Sequence, residues 1–169
     1  MNEAQDYTEW DKCFVLGIPI IDRQHDNLLR ICNNLHWTCL KGQETINGSF
    51  VRTAHEALDH LKHHFSTEEK MMKILSFSEF SAHKKEHDNF IIEILNCFEQ
   101  IESGEQFAPN LFARLVKDWL LSHFTSYDRA FADSILSMSN YGKLKLTLTG
   151  EYQLSAYSGF NPTALKPAT

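Results

Sequence analysis

Seven side chains of the types that ligate metal ions are spaced at helical intervals along the chain. They are five histidines and two carboxylates, namely His25, His64, Glu68, His83, His87, His123 and Asp128. His64 lies four residues before Glu68, and His83 lies four residues before His87. Because residues four apart project from the same face of a helix, each pair presents two potential ligands on one side.

The remaining pair, His123 and Asp128, has a different spacing. The two residues are five positions apart, which places them about 140° apart around a regular helix. Either Asp128 reaches around the helix, or a π-bulge, a distortion that recurs at functional sites, widens the turn. The spacing therefore predicts a local distortion of the helix between residues 121 and 131.

The number and type of these groups favour a pair of iron ions. Five imidazoles and two carboxylates are too many for one tetrahedral zinc, and calcium or magnesium would require mostly oxygen ligands. Nitrogen and oxygen ligands in this number suit two first-row ions, iron above all. Two octahedral ions offer about twelve positions, of which five histidines, two bridging carboxylates and one bridging oxo or hydroxo group fill about eleven. One position stays open for a small ligand, which a purely structural site would not need.

Four amphipathic helices would position these residues. Apolar residues repeat every three or four positions over about 20–41, 47–75 and 79–103, and from near Pro109 to Ile135, as in helices that bury one face. Short connections between helices of this length predict an all-α fold, an antiparallel up-down-up-down four-helix bundle. We expect residues 1–140 to form this domain, including a lead-in that ends at Pro19.

Six of these polar residues, all except Asp128, occupy positions on the apolar faces of the helices where Leu or Phe is expected. A single histidine on an apolar face is usually a core residue with one hydrogen bond. Burying so many polar groups without a common partner would cost about 1–3 kcal/mol each, more in total than the stability of a typical domain. A shared metal centre removes this conflict.

Composition excludes some classes of protein and favours others. The chain has 169 residues, 43% of them apolar, and a formal net charge of −6, so we expect no nucleic-acid partner. Neither a secretory signal nor an apolar run long enough to span a bilayer is recognisable. The cysteines Cys13, Cys32, Cys39 and Cys97 form no CxxC pair, and we expect buried free thiols in a reducing cytoplasm.

At these residues the chain resembles the hemerythrins, in particular their single-domain bacterial form. The matching motifs, in order, are Trp10 with GIPIIDRQH (17–25), HFSTEE (64–69) followed by Met72, HKKEH (83–87) and WLLSHFTSYD (119–128). Each motif alone is weak, but the ordered set is specific. The resemblance covers roughly residues 8 to 138.

The resemblance implies reversible dioxygen binding without enzymatic turnover. By resemblance, His83, His87 and His123 hold one iron, His25 and His64 hold the second, Glu68 and Asp128 bridge the two, and dioxygen binds at the iron held by His25 and His64. Apolar neighbours would form a dry cage that slows oxidation of the irons. The expected cage residues are Leu28, Leu61, Phe65, Phe90, Trp119 and Phe131.

Other functions remain open at this point. The same centre could sense oxygen, nitric oxide or iron and act through a protein partner. A di-iron oxidase, peroxidase or ferroxidase is a further alternative, although the ferritin-like enzymes use Glu-x-x-His pairs, which this chain lacks. Residues 141–169 have no counterpart in the minimal family domain. LKLTLT (144–149) alternates like a short strand whose edge could dock a partner, or the segment is a loose tail.

His60, His36 and His55 do not belong to this set. His60 precedes His64 by one turn, and we expect it to lie on the surface or beside the site. His36 and His55 are expected on helix surfaces or between helices.

Overall fold

Helices account for most of the described part of the chain. The computed structural model describes residues 8, 11–42, 48–103 and 107–138. A single 3-10 turn, Lys12–Phe14, is followed by α1 (Pro19–Gly42), α2 (Gly48–Ile74), α3 (Phe80–Ser103), α4 (Pro109–Thr125) and α5 (Tyr127–Met138). The predicted strand and the rest of segment 141–169 lie outside the described residues, as does Trp10.

The helices form a four-helix bundle in which α4 and α5 together make the fourth rod. α1 packs against α2 and α4, and α2 packs against α3. The predicted boundaries of the first three helices agree with the structure to within one residue. The all-α architecture predicted from the sequence is confirmed.

One end of the bundle is packed almost entirely with apolar side chains. All four rods contribute to this apolar layer, which we define by Cys32 and Leu35 on α1, Phe50 on α2, Phe98 on α3 and Phe112 on α4, all buried. The ring centroid of Phe112 lies 5.7 Å from that of Phe50 and 6.1 Å from that of Phe98. Such edge-to-face and tilted pairs add to the stabilisation from apolar burial.

The lead-in closes the opposite end of the bundle. Gly17 has a φ of 80°, a left-handed conformation that favours glycine, and Pro19 begins α1. The Asp22 carboxylate accepts hydrogen bonds from the backbone N–H groups of Leu16 (2.7 Å) and Gly17 (3.1 Å). The GIPIID stretch is thus a helix-start motif that anchors the lead-in.

The predicted distortion of the fourth helix is present as a break at Ser126 and not as a π-bulge. Ser126 has φ −114° and ψ −76° and separates α4 from α5. Its hydroxyl donates to the Ser122 carbonyl (2.6 Å), and the Thr125 hydroxyl donates to the Leu121 carbonyl (2.8 Å). Hydroxyl groups that bond to preceding carbonyls in this way bend helices.

Two further predictions concern the cysteines and membrane-spanning helices. All four cysteines are free, but only Cys32 is buried; Cys39 and Cys97 are half-buried and Cys13 is exposed. The prediction of buried thiols was therefore wrong for Cys13, because the 3-10 turn that carries it lies outside the amphipathic helices. Among the described residues, no helix combines the length and apolar composition needed to cross a bilayer.

Candidate metal centre

The structure brings all seven predicted ligand residues together in one layer of the bundle. Each is at most 2% exposed. Their ligand atoms form two overlapping groups, each with its atoms within 4.8 Å of one another. The first, the three-histidine group, contains His83, His87, His123, Glu68 and Asp128; the second, the two-histidine group, contains His25, His64, Glu68 and Asp128.

Asp128 lies between the two groups and turns one oxygen towards each. Its Oδ1 is 3.1 Å from His83 Nε2 and 3.0 Å from His123 Nε2. Its Oδ2 is 3.1 Å from His25 Nε2 and 3.9 Å from His64 Nε2. The break at Ser126 makes this possible, since it lets residues five apart in sequence face the same point.

Glu68 also belongs to both groups. Its Oε2 is 3.3 Å from His83 Nε2, 3.4 Å from His87 Nε2 and 3.8 Å from His64 Nε2. A carboxylate that contacts imidazoles of both groups has the position of a bridging ligand. Glu69, the neighbouring carboxylate, belongs to neither ligand group.

The bonding of these buried atoms fits a metal ion better than it fits a hydrogen-bond network. His123 Nε2 lies 3.0 Å from both His83 Nε2 and His87 Nε2. Both oxygens of Glu68 and of Asp128, and Nε2 of His25 and His64, have no hydrogen bond of acceptable geometry within the described chain. Buried polar groups are almost always satisfied. Converging imidazole nitrogens and carboxylate oxygens that lack such bonds are the donor set of a first-row metal site.

The charges of the metal-free cluster depend strongly on one another. Burial and the Asp128 carboxylate act to raise the pKa of Glu68, but the imidazoles of His64, His83 and His87 outweigh them and lower it to about 2. Burial acts to lower the pKa of His83, but the two carboxylates raise it to about 9. The pKa of His87 is lowered, chiefly by burial. Metal ions would replace the protons in this balance.

Aromatic side chains predicted for the cage pack mainly on the three-histidine group. Phe65 stacks on His87 with ring centroids 3.8 Å apart, and Trp119 stacks on His123 at 4.2 Å. Phe90 stacks on Trp119 at 3.9 Å. These rings restrict the imidazoles they cover.

The other expected cage residues are also in the core. Leu28, Leu61 and Phe131 are each at most 2% exposed. The Phe131 ring lies 6.4 Å from that of His83. Leu28 follows His25 by three residues and Leu61 precedes His64 by three, so both leucines lie one helical turn from the two-histidine group.

Four residues that were not predicted to belong to the site contact the cluster. Phe124 stacks on His25 with ring centroids 3.6 Å apart. Gln24 Oε1 lies 3.2 Å from His64 Nδ1, and Glu69 Oε1 lies 3.3 Å from His87 Nδ1. Tyr127 stacks on His123 with ring centroids 5.2 Å apart. All four are sequence neighbours of a predicted ligand, and that adjacency is the only signal the sequence offered.

The other histidines lie outside the two groups, as expected. His63 and His55 are exposed, whereas His60 and His36 are half-buried. His55 stacks on Phe98 with ring centroids 4.4 Å apart. His36 lies edge-on to Trp37 at 5.7 Å.

Comparison with known proteins supports the relationship that the motifs suggest. The family model described as "Hemerythrin HHE cation binding domain" matches residues 16–133. A crystal structure of wild-type hemerythrin superposes with a TM-score of 0.69 and 24% sequence identity, covering 75% of this chain and 96% of that one. At that identity the likeness concerns the fold alone.

Curated relatives match over most of their length. The chain is 28% identical over 131 residues to the bacteriohemerythrin of Stenotrophomonas maltophilia, covering 78% of this chain and 83% of the relative. It is 27% identical over 118 residues to the bacteriohemerythrin of Methylococcus capsulatus, covering 70% and 88%. A hemerythrin-like protein of Naegleria gruberi is 27% identical over 122 residues, covering 72% and 88%. The chain therefore belongs to the hemerythrin family.

Proposed function

We propose that the protein binds dioxygen reversibly at a non-haem di-iron centre, for oxygen storage, delivery or sensing. The observation that carries the proposal is the pair of overlapping ligand groups, buried in one layer and sharing Glu68 and Asp128. Two groups with common carboxylates call for two adjacent ions. Family membership is consistent with that assignment.

Each residue has a defined role in this proposal. His83, His87 and His123 hold one iron, His25 and His64 hold the other, and Glu68 and Asp128 bridge them. The three-histidine group has one imidazole more than the two-histidine group, so the open position falls on the iron held by His25 and His64. Ferrous ions there would supply the electrons that dioxygen binding requires.

The surroundings of the two-histidine group favour binding over turnover. Phe124 covers the His25 ring and also lies edge-on to His64, with centroids 6.2 Å apart. Phe65 lies 5.6 Å from the His64 ring. Carbon surfaces exclude water and limit proton delivery, which slows loss of the bound gas as a reduced product. A carrier needs these properties, whereas an oxidase needs a supply of protons.

The proposal is tested by loading the metal-free protein anaerobically with two equivalents of ferrous iron, admitting air and then removing oxygen. We expect a visible absorption band that appears in air, disappears on deoxygenation and returns in later cycles. Uptake should equal one dioxygen per two irons. Continuous oxygen consumption in the presence of a reductant would instead indicate an oxidase, and absence of the band would contradict dioxygen binding.

A matched pair of variants identifies the source of the band. His87→Ala removes a proposed ligand and should lower iron stoichiometry while leaving most of the helix content. His63→Ala changes an exposed neighbour of His64 and should leave both iron content and band unchanged. Full iron retention in His87→Ala would contradict the ligand assignment.

A further inference from the structure

Two imidazoles, one in each ligand group, are held from outside by side chains of different charge. Because Nε2 of His64 and of His87 points into the cluster, the outward Nδ1 of each ring carries the proton in the neutral, metal-binding form. His64 Nδ1–H then donates to the Gln24 side-chain oxygen at 3.2 Å, and His87 Nδ1–H donates to a Glu69 carboxylate oxygen at 3.3 Å.

Each outer partner makes one further contact. The Thr67 hydroxyl donates to the His63 carbonyl (3.0 Å), so its oxygen accepts from the Gln24 amide nitrogen (3.1 Å). This orientation leaves the Gln24 oxygen, and not its nitrogen, facing His64. On the other side, Glu69 Oε2 lies 3.5 Å from Lys84 Nζ.

The difference in charge has a chemical consequence. A carboxylate that accepts the outward N–H of a ligating imidazole makes the ring a stronger donor, whereas a neutral amide has a weaker effect. Glu69 is only 17% exposed, so water screens its charge incompletely. The Glu69 contact therefore strengthens the three-histidine group relative to the two-histidine group.

We propose that Glu69 and Gln24 are positioning residues that make the two metal sites unequal, so that the three-histidine group binds a divalent ion first and releases it last. This inference rests on the proposed di-iron centre. The competing explanation is that ligand number alone, three imidazoles against two, sets the order. Exchanging the outer partners separates the two explanations, because it leaves every ligand in place.

Three variants make the exchange. Glu69→Gln keeps the shape and the accepting oxygen but removes the charge, Gln24→Glu adds a charge beside His64, and the double variant does both. Lys84→Gln is the matched control, because it disturbs the same surface while leaving the Glu69 carboxylate. If the Glu69 charge is the cause, Lys84→Gln should leave the first binding step unchanged or strengthen it. Glu69→Gln should weaken the same step.

The experiment titrates the full metal-free chain with cobalt(II), following visible absorption and the bound metal at equilibrium. Glu69→Gln should weaken the first step about tenfold, the low end of the effect of mutating an outer partner, because the accepting oxygen stays and only the charge is lost. Gln24→Glu should strengthen the second step, and the double variant should bring the two steps together or reverse them. By NMR of the cobalt form, the exchangeable ring N–H resonance of His87 should shift in Glu69→Gln but not in Gln24→Glu.

The outcomes distinguish this inference from the proposed function. Two cobalt ions bound by every variant, with stepwise affinities within about threefold of the unaltered chain and an unmoved His87 resonance, would overturn the inference alone. Binding of fewer than two ions by the unaltered chain would overturn the di-iron proposal and this inference with it. Circular dichroism establishes that each variant retains its helices.

Discussion

The two ends of the bundle are stabilised in different ways. In the apolar layer, Leu35 and Phe50 are fully buried and pack in a cluster of apolar side chains. The metal-centre layer is formed by the seven side chains of the two ligand groups. Its inward-facing positions hold five imidazoles and two carboxylates, several of which have no hydrogen bond of acceptable geometry among the described residues. The same helices thus form one layer that is complete by itself and one whose buried donor atoms a metal ion would complete.

The largest expected effect is that metal removal lowers the stability of the metal-centre layer and leaves that of the apolar layer unchanged. At free ferrous ion a thousandfold above Kd, binding at one site adds about 4 kcal/mol to the free energy of unfolding. Hydrogen exchange in metal-free protein should accelerate around His64, His87 and His123 much more than around Phe50 and Phe112. Equal acceleration in both layers would contradict the comparison.

A substitution in the apolar layer should have the opposite pattern. Phe50→Ala removes a fully buried ring and should lower the free energy of unfolding by about 3–5 kcal/mol, both with and without metal. Because Phe50 precedes His64 by fourteen residues on α2, about 21 Å along the helix, two ions should still bind. Urea denaturation with metal analysis checks both points, and loss of the ions on Phe50→Ala would show that the layers are coupled.

In the metal-free protein, the charged groups of the metal-centre layer should make the free energy of unfolding depend on pH. The pKa of His83 is raised from 6.5 to about 9, so its contribution is complete below pH 6.5 and is lost as pH rises through about 9. The pKa of Glu68 is lowered from 4.5 to about 2, so its contribution is complete above pH 4.5 and is lost as pH falls towards 2. The pKa of His87 is lowered, in the opposite direction to that of His83. His87 therefore reduces the free energy of unfolding as pH falls below 6.5.

We therefore expect metal-free protein to be most stable near pH 6.5 and weaker at pH 9.5. Urea titrations at pH 4.5, 6.5 and 9.5 measure this. In His83→Gln the loss between pH 6.5 and 9.5 should be much smaller. A metal-free chain of equal stability at pH 6.5 and 9.5 would show that the cluster is not charged in this way.

Thiol labelling should give the smallest effect but reports on the apolar layer directly. Cys32 is buried there, and burial raises its pKa to about 12, so it should label last in both metal-free and loaded protein. Cys13 is exposed and should label first, although its contact with Asp11 raises its pKa and slows the reaction below pH 9. Rapid labelling of Cys32 on metal removal would mean that the apolar layer opens too; urea-unfolded chain, with four reactive thiols, is the control.

Much of the difference between the apolar layer and the metal-centre layer could be predicted from the sequence, because it depends on which residues occupy the inward-facing positions of each helix. The spacing of His64, Glu68, His83 and His87 placed them on inward faces, and four long amphipathic segments left few ways to arrange them. Asp128 required the additional inference of a distorted helix, which the five-residue spacing supplied.

The outer contacts could not be predicted in the same way. Gln24 and Glu69 are polar residues next to ligands, and nothing in their spacing distinguishes them from solvated side chains. Their roles depend on how α1, α2 and α3 are rotated against one another, which a periodic pattern does not specify. Phe124 faces His25 because α4 packs on α1, and this too is a property of the packed bundle.

Anomalous diffraction at the iron edge, from crystals of the loaded protein, tests the central claim most directly. Two peaks are predicted in the metal-centre layer, both adjacent to Glu68 and Asp128, with three imidazoles around one and two around the other. A single peak enclosed by protein ligands, or peaks away from these seven side chains, would contradict the di-iron centre.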